Sequence, residues 1–122
     1  MRNFPMTRLD RFFAGLLLFG ATGHTAGTLA FYTWPSEIFV WSLGASLAAF
    51  LLGAINLLRT NRLNDLALAW TCAIGALAWL AIAVAFGVVI GEIADPRVLI
   101  HAIAAVGLLV MSLRTVRQDW TS

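Results

Sequence analysis

Apolar residues along this chain gather into four long runs that do not alternate with polar ones and are separated by short polar links. The runs cover residues 12–31, 37–58, 66–90 and 96–113. An α-helix rises about 1.5 Å per residue, so about 20 apolar residues cross a hydrocarbon layer about 30 Å thick. Each run therefore predicts a transmembrane helix. Strands of a membrane barrel would alternate, whereas continuous runs favour helices, which satisfy every backbone polar group within one segment.

The links fit this reading. Trp34 and Pro35 fall in the first. The second, Arg59 to Asp65, is the most polar stretch of the chain, with Asn64 or Asp65 placed to cap the following helix. Asp95 followed by Pro96 reads as an N-cap and a first-turn proline. Links this short make neighbouring helices antiparallel. The expected fold class is all-α: a single integral-membrane domain over residues 1–122, built as a four-helix up-down-up-down bundle.

Composition narrows the setting. Of 122 residues, 61% are hydrophobic and 11% charged, with a mean hydropathy of +0.87; soluble domains carry about 25% charged residues. Water-soluble folds, disordered tails and secreted disulfide scaffolds are excluded together. Cys72 has no second cysteine to pair with and sits in an apolar run, where a thiol acts as a small hydrophobe. The net charge of +2 is dispersed over helix ends, so no nucleic-acid partner is indicated.

Those charges set the expected orientation. Arg2, Arg8, Arg11, Arg59, Arg62, Arg114 and Arg117 fall on one side of the layer; only Arg97 falls on the other, beside Glu37, Glu92 and Asp95. Positive charge is retained inside, which puts both termini in the cytoplasm, Tyr32 and Trp34 at the outer interface, and Trp70 and Trp120 at the inner one. A signal peptide is the rival reading of the first run, but the apolar character outlasts the usual core of about 7–15 residues. Abundant Ala, Leu, Gly and Arg with no Lys suggests GC-rich coding, hence a bacterial source and a multi-pass protein of the cytoplasmic (inner) membrane. An offset of 55 residues aligns Asp10, Gly20, Ala21, Ala26, Ala30 and Phe31 with Asp65, Gly75, Ala76, Ala81, Ala85 and Phe86. A duplicated helix pair gives such a match, as does chance similarity among Ala-rich helices.

Polar residues within a span are the candidates for chemistry. Here they are His24 with Thr22, Thr25 and Thr28, then Ser42, Ser46, Asn56, Thr71, Cys72 and His101. No carboxylate falls in mid-span. His24 lies about 10 Å below the end of its run and His101 about 7.5 Å below the start of its own, so both occupy nearly one layer. Each stands among small residues: Gly20, Gly27 and Thr28 around His24, Ala104 and Ala105 around His101, with Arg97 one turn away.

Two functional classes follow. In the first, the histidines hydrogen-bond across helices and fix the packing of a partner-binding or subunit protein with no catalytic constellation, working alone, as a homo-oligomer or in a larger membrane complex. In the second, His24 and His101 are axial ligands of a b-type haem, Gly20 and Gly27 leave room for the ring, and Arg97 meets the propionates. The protein is then an electron carrier or quinone-linked subunit. A glycine-flanked histidine on one helix and a second histidine on another is similar to the pattern in membrane cytochromes b, over these few residues only. A small-substrate or lipid transporter is a third class. Two histidines do not complete a zinc or copper site, and no nucleophile is paired with a base. Trp41 and Trp79 are candidates to line a pocket for a lipid, quinone or sterol, or simply core and lipid-facing rings.

Overall fold

A computed structural model describes residues 4–120, with the side chains of 6–118, as four helices: α1 (Phe4–Phe31), α2 (Glu37–Thr60), α3 (Leu66–Val89) and α4 (Pro96–Trp120). All four are long and apolar enough to cross a membrane. Arg2 and the Trp120 side chain lie outside the described residues. Three helices outrun the apolar runs at their charged ends: α1 is already helical at Phe4, α2 continues to Thr60 and α4 to Trp120.

The helix ends follow local chemistry. Ser36 and Asp65 cap α2 and α3, accepting from the N–H groups of Phe39 at 3.2 Å and Leu68 at 3.0 Å. Asp95 accepts from the Arg97 N–H at 2.8 Å at the start of α4, where Pro96 has no N–H to lose. α3 stops in a Schellman turn: Gly91 takes φ +72°, its N–H donates to Val88 and that of Glu92 to Gly87. Only glycine adopts that φ without strain.

α1 packs against α2 and α4, and α3 against α4 and α2; the α3–α4 seam is the most extensive and the α2–α3 seam the least. The core joins Ala14, Leu17, Ala21, Ala49, Leu52, Ala76, Ala104 and Leu108. Small side chains let backbones approach closely, and larger ones fill the gaps. Leu18 lies over Gly53, and the Phe13 ring lies directly against Gly107. α2 meets α3 where Leu52 covers Gly75 and where Cys72 Sγ lies 3.6 Å from the Ile55 carbonyl. The outer surface is apolar: Phe19 is 67% exposed, Trp41 70% and Phe31 84%. That is the distribution expected of a bundle surrounded by hydrocarbon.

A Cβ at position 107 would fall within the Phe13 ring. Overpacking of this kind costs about 1–3 kcal/mol. Gly107→Val should therefore lower the thermal unfolding midpoint in detergent, and adding Phe13→Ala should recover part of the loss; an unchanged midpoint for the single variant contradicts this packing.

Candidate functional site

The fold brings His24, His101 and Gly20 together. The two imidazole centroids lie 6.5 Å apart with their planes at 84°. A Cβ on Gly20 would lie 3.0 Å from His101 Nε2, so α4 touches α1 at a point where any larger residue would press on the imidazole. Each histidine is also tied to a third helix. His24 Nδ1 lies 2.8 Å from the Ser46 hydroxyl on α2, and the indole N–H of Trp79 on α3 donates to His101 Nδ1 at 3.2 Å. All four helices thus meet in one polar layer. The 55-residue offset seen in the sequence carries His24 onto Trp79 and Ser46 onto His101, so the two cross-helix bonds occupy equivalent places in the α1–α2 and α3–α4 pairs.

Trp79 fixes the tautomer of one ring. The Ser46 hydroxyl has one hydrogen and two acceptors within reach, His24 Nδ1 at 2.8 Å and the Ser42 carbonyl at 3.3 Å, so the His24 tautomer follows whichever of them takes it. Trp79 only donates, so His101 Nδ1 is the acceptor and the proton of the neutral ring sits on Nε2. A metal-bound histidine needs its free nitrogen unprotonated and its other N–H donated to an acceptor. His101, with Nδ1 accepting from the indole, does not meet that requirement. A haem held by both rings would require the Trp79 bond to break.

The other candidate residues fall into place around this layer. Gly27 and Gly23 have no atoms within 4 Å of where a Cβ would sit. Arg97 is engaged by Asp95, Nη2 to Oδ2 at 2.8 Å, and lies over the Phe86 ring at 5.5 Å. Thr22, Thr25, Thr28 and Thr71 each donate to the carbonyl four residues back, which satisfies them within their own helices. Trp41 lies on the surface beside Pro35, Ser36, Glu37 and Val40. Among the described residues no group of three or more His, Cys, Asp and Glu gathers to hold a metal.

Sequence reasoning missed the second polar centre. Arg59, read as an orientation signal, is fully buried, and so is Asp10. The guanidinium grips Asp10 in a fork, Nη2 to Oδ1 at 2.7 Å and Nη1 to Oδ2 at 3.0 Å. Its remaining N–H groups donate to Asn56 Oδ1 from Nε and Nη2 and to Thr115 Oγ1 from Nη1 at 2.9 Å. All five donors of the arginine are thereby used. Ser112 donates to the same Asn56 oxygen, and Asn56 Nδ2 to the Leu52 carbonyl. The network joins α1, α2 and α4. The available signal was the pair of i, i+3 spacings, Asn56 with Arg59 and Ser112 with Thr115, which put polar groups on one face of each helix.

The chain matches no family model, no curated protein and no solved structure.

Removing one partner of a buried ion pair leaves an uncompensated charge and costs about 3–5 kcal/mol, whereas replacing both with apolar groups costs far less. Arg59→Met should therefore sharply lower the unfolding midpoint, and Asp10→Leu combined with it should restore much of the loss; additive losses contradict the pairing. At the start of α4, the side chain and N–H of Arg97 hold the Asp95 carboxyl down to about 2, against an ordinary 3.8. A depressed carboxylate stabilises above its unfolded value and loses that contribution as pH falls through the folded one. An NMR titration of Asp95 should show its midpoint near pH 2; a midpoint near 4 would remove the Arg97 contact.

Proposed function

We propose that the chain is a packing and partner-binding subunit of a membrane: four crossings in up-down-up-down order, with both termini on the arginine-rich, cytoplasmic side. The observation that carries this reading is how the polar groups are distributed. The polar groups within the spans bond across helices, through the buried Arg59–Asp10 pair and through the less buried histidine layer, and large apolar side chains face outward. A bundle built this way is rigid inside and offers its surroundings surface rather than a reaction centre. α1 supplies the docking face, since Gly15, Thr22, Gly23, Ala26 and Ala30 are all exposed and Thr22 is satisfied internally. Helices associate in lipid through such small-residue faces.

The Trp79 bond to His101 weighs against the haem reading. The protein purified in detergent after haem-supplemented expression should show no Soret band, oxidised or reduced; a band lost in a His24→Ala, His101→Ala double variant would establish the haem instead. Reporter tags on the two ends should lie on the same face of the membrane. Ala26→Cys in a Cys72→Ala background should give a crosslinked adduct in native membranes, with itself or with a larger protein, and a chain that stays uncrosslinked contradicts the docking role.

A further inference from the structure

His101 is held from two sides. It bonds to the Gly20 backbone of α1, with Nε2 on that side, and its Nδ1 accepts the indole N–H of Trp79 on α3 at 3.2 Å. An indole N–H donates and never accepts, so the Trp79 bond exists only while Nδ1 keeps its lone pair. The neutral ring serves both neighbours at once, giving Nε2–H to the Gly20 carbonyl and the Nδ1 lone pair to Trp79. A second proton, on Nδ1, sets two donors against each other and leaves the Gly20 bond intact.

His24 is built differently. Its partner, the Ser46 hydroxyl, both donates and accepts, so that bond survives with or without a proton on Nδ1. The two imidazoles lie 6.5 Å apart, yet only one of them loses a partner on protonation. The ionisable groups around His101 are His24 on α1 and, toward the start of α4, Arg97, already paired with Asp95 in the α3–α4 link that also holds Glu92. Across the layer α2 and α3 present Ser46 and Trp79, which carry no charge. Among the described residues no carboxylate bonds to either ring, so nothing compensates an imidazolium there.

The cost falls on α3. In its first half this helix is tied to α2 by the Cys72 thiol, a weak donor, at 3.6 Å from the Ile55 carbonyl. In the half nearer Val89 it is tied to α4 by the Trp79 bond and by the apolar contact of Gly87 with Val98. We propose that His101 is an acid-sensitive latch: a proton taken from water onto Nδ1 expels the Trp79 indole and loosens the Val89 half of α3 from α4, while α4 stays docked on α1 through Gly20. The latch needs only the four helices and works whichever side of the membrane the termini occupy.

The test follows the indole N–H signals of the full-length, ¹⁵N-tryptophan-labelled protein in detergent from about pH 8 to about pH 4, which spans the titration of histidine. The chain has five tryptophans, so Trp79→Phe assigns one signal and the others serve as controls. In acid the Trp79 signal should move upfield and exchange with water about tenfold faster, as the loss of one hydrogen bond implies, with the other indoles unmoved. Protection of the amides of residues 80–89 should fall by a similar factor, and in Trp79→Phe it should be low at both ends of the range. Gln accepts and donates across this whole range, so His101→Gln should hold the Trp79 signal constant, whereas His24→Gln should leave the transition in place. A Trp79 signal or 80–89 protection constant down to about pH 4, a transition that survives in His101→Gln or vanishes in His24→Gln, or all indoles moving together as in global unfolding would overturn the proposal.

Discussion

Hydrocarbon offers neither donors nor acceptors, so a polar group carried into it must find its partner inside the protein. That constraint explains the arrangement of this bundle better than any single apolar contact does. Arg59 is buried together with a carboxylate, an amide and a hydroxyl that between them use all of its donors. The threonines bond back along their own helices. The histidines reach sideways to a serine and an indole. Because these bonds come from different helices, satisfying them also fixes which helices are neighbours and at what height.

Two polar centres at different heights divide the work. The Asp10–Arg59 centre joins α1, α2 and α4, and the small-residue core lies next to it. The histidine layer joins all four helices through Ser46 and Trp79. The first centre is an ion pair with every arginine donor used; the second is held by neutral hydrogen bonds alone.

The helices were legible in the sequence because the physics that dictates them is local: run length, the Asp65 and Asp95 caps, and Pro96 at a first turn. The shared level of His24 and His101 followed from counting helical rise. The Asp10–Arg59 pair did not, because Asp10 precedes the first apolar run and an arginine at the end of a span reads equally well as an interfacial charge. Burial was decided by the helix continuing back to Phe4 and by α4 supplying Thr115, and both are tertiary facts. The Trp79–His101 bond was hidden for the same reason. Its sequence signal, the match of His24 with Trp79 and of Ser46 with His101 at the repeat offset, pairs unlike residues and is visible only once the bonds are known.

The central claim is that the polar groups of the layer are held by partners on other helices, most plainly His101 by the Trp79 indole. Solid-state ¹⁵N NMR of histidine-labelled protein in lipid bilayers at neutral pH reads this directly. The structure predicts a His101 ring that carries its proton on Nε2 and accepts at Nδ1, with Trp79→Phe perturbing that signal and leaving the other histidine unchanged. A His101 ring protonated at Nδ1, or a His101 signal indifferent to Trp79, would contradict it.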